Sequence, residues 1–201
     1  MKKLLIYSFE KFGKLETNPA AEIAKLVKDS LKSRVDTRLI IAPTAFNNWS
    51  TIEEVILSFK PNFILGLGLK DGNRICLEYL AINMIDSPQP DNNGKIIRNS
   101  QINGESPLAL NTSLDLLEFR SILQKENTPS TISYFADTYI CNYFYFNCLD
   151  YIRKNKLNVE TIFIHVPLSP EEVNRLDGNK PSFPTKIIAD GITKYIIKYL
   201  R

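Results

Sequence analysis

Two side chains in the second half of the chain are of the types and spacing that a thiol-nucleophile site requires. Cys141 lies where an extended aromatic segment, residues 133–139, gives way to a predicted helix. The partial positive charge of a helix start favours the thiolate form of a cysteine. His165, the only histidine, is close to the end of a short apolar run, residues 161–167, which is typical of a buried strand. One helix separates the two, so the fold could bring a thiol and a base together.

Both residues also have a purely structural explanation. A cysteine on an aromatic-rich helix is usually packed in the core, and a histidine that follows apolar strand residues usually satisfies a backbone group. Composition alone favours this explanation. A more specific signal is needed to decide for a functional site.

Glu78 is a third candidate, because it stands among apolar residues in a strand-like run, residues 74–83. A carboxylate in an apolar environment needs a partner, since burying it alone costs free energy. The alternative is that Glu78 lies on a solvated strand face, where it could pair with Arg74.

Short apolar runs and helical periodicity alternate along the chain and predict an α/β fold. We expect a single domain over residues 1–201, an α/β/α sandwich whose mixed, mostly parallel sheet has helices on both faces. The predicted strands cover residues 4–9, 37–42, 62–67, 74–83, 131–133 and 161–167. The predicted helices start near residues 18, 50, 112, 141, 169 and 184. Residues 86–107 are rich in Pro, Asn and Gly and predict a long excursion without its own core, as in lids and interface arms.

Composition excludes several classes of function. The 25 basic and 22 acidic residues are spread along the chain, so we expect no nucleic-acid partner. We also expect no signal peptide and no membrane span. The chain has three cysteines, Cys76, Cys141 and Cys148. Their odd number and the lack of paired metal-ligand spacing favour free thiols in the cytoplasm. We therefore expect no metal and no cofactor. The glycine-rich segment 66–72 lacks the spacing of a dinucleotide or phosphate loop, but a nucleotide-binding α/β protein remains an alternative.

Four short segments, in one colinear order from the first strand almost to the C-terminus, carry a more specific signal. They are Phe9-Glu-Lys-Phe-Gly13 with Asn18-Pro19, Leu77-Glu-Tyr-Leu-Ala-Ile-Asn83 with Pro90-Asp-Asn92, Ala136-Asp-Thr-Tyr-Ile-Cys-Asn142, and Phe163-Ile-His-Val-Pro167. Together they resemble the signatures of the pyroglutamyl peptidase I (pyrrolidone-carboxylate peptidase) family of cysteine peptidases.

The resemblance implies an exopeptidase that removes an N-terminal pyroglutamyl residue from peptides. Cys141 would be the nucleophile, His165 its base and Glu78 the group that orients the imidazole. Phe9 and Phe12 would contact the lactam ring of the substrate, although both could instead plug the edge of the sheet. Family members often form tetramers, so the resemblance also implies a homo-oligomer.

The chain departs from the usual family pattern around the predicted pocket. The positions that differ are Ser8, Lys11, Lys14, Pro88 and Asp137. Asp137 stands where a glycine is usual, and its negative charge would oppose thiolate formation if it lay close to Cys141. A second hypothesis follows, in which the chain is a divergent member with an altered substrate or little activity that serves binding or assembly.

Overall fold

The computed structural model describes residues 1–176 and 178–201. The strands are β1 (Lys3–Phe9), β2 (Asp36–Ala42), β3 (Phe63–Leu69), β4 (Ile75–Glu78), β5 (Leu80–Ile82), β6 (Ile85–Ser87), β7 (Ile97–Ser100), β8 (Ala109–Asn111), β9 (Ser130–Ser133) and β10 (Glu160–Val166). The helices are α1 (Pro19–Leu31), α2 (Trp49–Phe59), α3 (Leu116–Lys125), α4 (Ile140–Lys154), α5 (Pro170–Arg175) and α6 (Thr185–Tyr199).

Six of these strands form one sheet in the order β2-β1-β3-β10-β4-β9. Every neighbouring pair is parallel except β10 and β4, which run antiparallel. The prediction of an α/β fold with a mixed, mostly parallel sheet is therefore confirmed. The antiparallel pair matters for the site, because it sets Glu78 of β4 opposite Phe163 of β10, two residues before His165.

The central strands are largely apolar because helices cover both of their faces. One face packs against α1, α3 and α6, and the other packs against α2 and α4. The start of α1 follows its sequence signals: Asn18 accepts a hydrogen bond from the N–H of Ala20, and Pro19 occupies the first turn.

The strand predicted over residues 74–83 is wrong in its extent. The chain leaves the six-stranded sheet after Glu78, and β5 pairs with β8 in a separate two-stranded sheet. The cause is a tertiary contact, because the Asn142 side chain bonds both the N–H and the carbonyl of Ile82 and so ties β5 to α4.

Two further predictions in this region need correction. The excursion over residues 86–107 contains a hairpin, in which β6 pairs with β7, and Asp86 accepts hydrogen bonds from Arg98 and Asn99. The predicted cap of α3, Thr112 or Ser113, is wrong, because Asp115 caps this helix. The Thr112 hydroxyl instead donates to the buried carbonyl of Thr161. Local sequence could not reveal this competing bond.

None of the helices in the described part of the chain combines the length and the apolar character needed to cross a membrane.

Candidate active site

His165 and Glu78 form a buried hydrogen-bonded pair across the antiparallel strands β10 and β4. His165 pairs in register with Cys76, and Phe163 pairs with Glu78, so the imidazole and the carboxylate lie on the same face of the sheet. The distance from His165 Nδ1 to Glu78 Oε1 is 2.7 Å, and the exposed fractions of the two side chains are 3% and 0%. Glu78 is therefore not on a solvated strand face. With Nδ1–H donated to the carboxylate, Nε2 is left as an acceptor.

Two residues that the sequence analysis did not single out hold Glu78 in place. The Tyr145 hydroxyl, on α4, donates to the backbone carbonyl of Glu78 at 3.0 Å. Lys70, just after β3, places Nζ 3.9 Å from Glu78 Oε1, the oxygen that also contacts His165. The second oxygen, Oε2, is buried without a hydrogen-bond partner in the described part of the chain. Tyr145 is 67 positions from Glu78, and Lys70 follows a different strand, so no local pattern indicated either contact.

Cys141 is the second residue of α4, as its motif predicted. No side-chain hydrogen bond from Tyr139 caps this helix start, so backbone N–H groups of its first turn are left without a capping side chain. Cys141 is free, and the residue as a whole is of intermediate exposure. Cys148 is also free but fully buried in the core, as expected.

Gly68 lets the sulfur of Cys141 approach the sheet next to His165. Gly68, on β3, pairs in register with His165 on the neighbouring strand β10. A Cβ atom at Gly68 would lie 2.7 Å from Cys141 Sγ and 2.7 Å from Cζ of Phe163, much closer than real contacts allow. A glycine within a strand often marks such a close approach. The strand register and this contact bring the thiol to the same rim as the imidazole.

Cys141 and His165 line one cavity of about 850 Å³. Phe12 lines it too, from the loop after β1, together with the basic side chains of Lys14, Lys70, Arg175 and Lys180. Phe9 is absent from its lining: the ring is buried and packs edge-to-face on Phe144. The structure thus brings Phe12 together with the thiol and the imidazole, whereas Phe9 belongs to the aromatic core beside them.

The loop that carries Phe12 is tied to α5, which follows the His165 strand. The buried Glu172 accepts hydrogen bonds from the N–H and hydroxyl of Thr17 and from Arg175, and Arg175 donates to the carbonyl of Lys14. Burial by itself would raise the pKa of Glu172, but the hydrogen bonds from Arg175 and Thr17 outweigh it and lower the pKa to about 2. The Glu172 carboxylate, with Arg175, therefore ties the loop that carries Phe12 to α5.

The thiol of Cys141 is protonated at neutral pH. Burial, followed by the negative charges of Asp137 and Glu78, raises its pKa to about 12, while Lys70 and the backbone N–H of Cys141 lower it. The backbone N–H at the helix start acts in the direction expected from the sequence, but burial is the larger effect. Asp137 has a positive φ of 72°, the backbone conformation that a glycine adopts without strain. Its charge opposes the thiolate, as its position in the sequence suggested.

A thiol, an imidazole and a carboxylate at one rim of an α/β sheet are the groups that a thiol-dependent hydrolase needs. The pyroglutamyl peptidase family model matches residues 2–201. Pyrrolidone-carboxylate peptidase 1 of Caldanaerobacter subterraneus subsp. tengcongensis is 35% identical over 192 residues, which cover 94% of this chain and 91% of that protein. The chain belongs to the pyroglutamyl peptidase family of cysteine peptidases.

Solved structures agree with this assignment. The pyrrolidone carboxyl peptidase of Fervidobacterium islandicum superposes with a TM-score of 0.93 at 26% identity, covering 99% of this chain and 98% of that chain. The enzyme of Thermococcus litoralis gives a TM-score of 0.89 at 30% identity, with 98% and 92% covered. The resemblance seen in the four sequence segments is confirmed, and it extends over the whole chain.

Proposed function

We propose that this protein is an exopeptidase that hydrolyses the bond after an N-terminal pyroglutamyl residue, with Cys141 as nucleophile, His165 as base and Glu78 as the orienting carboxylate. The observation that carries the proposal is the buried contact of 2.7 Å between His165 Nδ1 and Glu78 Oε1, beside a thiol that lines the same cavity. This division of roles is that of base-assisted triads on unrelated folds.

The reaction begins from a protonated thiol. Because the pKa of Cys141 is about 12, little thiolate exists at rest, and the sulfur must lose its proton to His165 Nε2 as it attacks the pyroglutamyl carbonyl. The imidazolium that forms is stabilised by Glu78, which accepts the Nδ1–H. Breaking this pair would leave a buried carboxylate without compensation, so Glu78 serves structure and chemistry together.

The remaining steps use groups at the start of α4 and the same imidazole. The uncapped first-turn N–H groups are placed to receive the oxyanion of the tetrahedral intermediate. His165 then gives its proton to the departing amine, and the acyl group stays on sulfur as a thioester. Water, deprotonated by His165, attacks the thioester, releases pyroglutamate and restores the thiol.

Recognition of the lactam is assigned to the apolar part of the cavity. Phe12 is half-buried and lines the cavity, so its ring face can pack on the flat, uncharged lactam. The role of Phe9 stays a prediction, and its burial limits it to support of the neighbouring aromatic rings. The oligomeric state also stays a prediction.

The test is turnover of a pyroglutamyl fluorogenic amide by the purified protein, with and without iodoacetamide. We expect thiol-sensitive turnover that falls by at least about a thousandfold in Cys141→Ala and in His165→Asn. A matched control is Cys148→Ala, which removes a thiol from the core of the same helix and should leave iodoacetamide sensitivity intact. Absence of turnover in a folded sample would support the divergent, non-catalytic hypothesis instead.

A further inference from the structure

Besides the imidazole of His165, the ammonium group of Lys70 is the side-chain group paired with the Glu78 carboxylate within the described ranges, and the proposed mechanism does not use it. Its Nζ lies 3.9 Å from Glu78 Oε1, and about a third of its side chain is exposed, so its charge is only partly screened. It also lines the cavity that contains Cys141 and His165.

Lys70 contacts each of the three chain segments that carry the proposed triad. Its backbone N–H donates to the carbonyl of Val166, the residue after His165, at 3.0 Å. Its ammonium group donates to the carbonyl of Phe135, in the segment that leads to Cys141, at 3.0 Å. The same ammonium group reaches the carboxylate of Glu78. These contacts come from a single position, at the junction of β3 and the loop that follows it.

The charge of Lys70 is opposite in sign to that of the two carboxylates that act on Cys141. Glu78 and the exposed Asp137 both disfavour the thiolate of Cys141, and Lys70 is the side chain that favours it. Three other cations line the same cavity, but Arg175 pairs with Glu172, Lys180 pairs with Asp71, and Lys14 is exposed. Among the cations of the described residues, Lys70 is the one that acts on the pKa of Cys141. Lys70 is thus the cation placed to act on the buried carboxylate and the sulfur together.

We propose that Lys70 is a positioning residue that braces the three triad-bearing segments and offsets the charge of Glu78, so that the sulfur of Cys141 loses its proton more readily during attack. This role rests on the proposed function. The brace acts through the hydrogen bonds to Phe135 and Val166, and the charge acts through Glu78. Removing the ammonium group abolishes the electrostatic role. It weakens the bracing role only in part, because the backbone hydrogen bond to Val166 remains.

The test compares Lys70→Met and Lys70→Arg by the rate at which iodoacetamide alkylates Cys141, followed by peptide mapping. Chymotryptic cleavage separates Cys141 from Cys148, because aromatic residues lie between them. We expect alkylation near neutral pH to fall by about threefold to tenfold in Lys70→Met, and the rise of its rate with pH to move to higher pH. Lys70→Arg keeps the charge and should retain most of the rate.

Lys3→Met is the matched control. Lys3 Nζ also donates to a backbone carbonyl, that of Phe59, at 3.0 Å, but it stands at the far end of β1 from the cavity. We expect its alkylation rate and its turnover to match those of the unmodified protein. Lys70→Met should lower kcat by about tenfold with little change in KM, and its melting temperature should stay within about 3 °C of that of Lys3→Met.

The outcomes separate this inference from the proposed function. If the alkylation rates of Lys70→Met and Lys3→Met are equal, the electrostatic role is wrong. If Lys70→Arg is as slow as Lys70→Met, the charge is not what matters and the proposal is overturned. Because alkylation needs no substrate, a protein without pyroglutamyl turnover would refute the proposed function, and its alkylation rates would still show whether Lys70 acts on the thiol.

Discussion

The substitution Gly68→Ala tests how the fold places the nucleophile. The new Cβ would lie 2.7 Å from Cys141 Sγ, whereas ordinary contact begins at 3.4 Å, so the two atoms must separate by about 0.7 Å. The Phe163 ring, at 2.7 and 2.9 Å, crowds the same Cβ, so moving away from the sulfur alone does not relieve the overlap. A displacement near 1 Å at a reacting atom can cost about a hundredfold in rate. We expect kcat/KM on a pyroglutamyl amide to fall by roughly tenfold to a hundredfold.

The same crowding has a smaller effect on stability. Overpacking a buried site typically costs about 1–3 kcal/mol, which for a chain of this size lowers the melting temperature by several degrees. Gly72→Ala is the matched control, because a Cβ there meets no atom within 4 Å. If Gly68→Ala and Gly72→Ala agree within about twofold in kcat/KM and in alkylation rate, the sulfur does not rest over Gly68 and the reasoning fails.

Further predictions concern charge, pH and packing. Asp137→Asn keeps a residue that tolerates positive φ and removes the negative charge. It should lower the pKa of Cys141 and speed its alkylation about threefold near neutral pH. An unchanged alkylation rate would show that the charge of Asp137 does not influence the sulfur. Glu172 has a folded pKa of about 2 against an ordinary 4.5, so it stabilises the fold above about pH 4.5 and loses this effect as pH falls toward 2. Glu172→Gln should therefore flatten the acid limb of a stability curve followed by urea unfolding; an equal slope would contradict this. Gly66→Ala should destabilise by about 1–3 kcal/mol, because its Cβ would lie 2.4 Å from Phe163, and a melting temperature equal to that of Gly72→Ala would count against it.

The sequence predicted the parts of the fold that depend on local pattern. Apolar runs revealed the central strands because those strands are buried on both faces, and Asn18 with Pro19 marked the start of α1. The end of the extended aromatic segment before Cys141 also predicted the start of α4. These signals are local, and local chemistry decided them.

The remaining features depend on contacts between distant residues. The strand break after Glu78 follows from Asn142, and the cap of α3 moves to Asp115 because Thr112 bonds Thr161. The positions of Lys70 and Gly68 in the site were invisible for the same reason: no local pattern marks a lysine that will reach a carboxylate eight positions later on another strand. The antiparallel pairing of β4 with β10, which unites Glu78 and His165, also had no sequence signal.

The most direct test of the central claim is to trap the covalent intermediate. Protein mixed with a pyroglutamyl amide is quenched in acid, cleaved and mapped by mass spectrometry. We predict a pyroglutamyl thioester on the peptide that contains Cys141, absent from Cys141→Ala and from the peptide of Cys76. Turnover that persists in Cys141→Ala, or a pyroglutamyl group on another residue while Cys141 stays unmodified, would contradict the account.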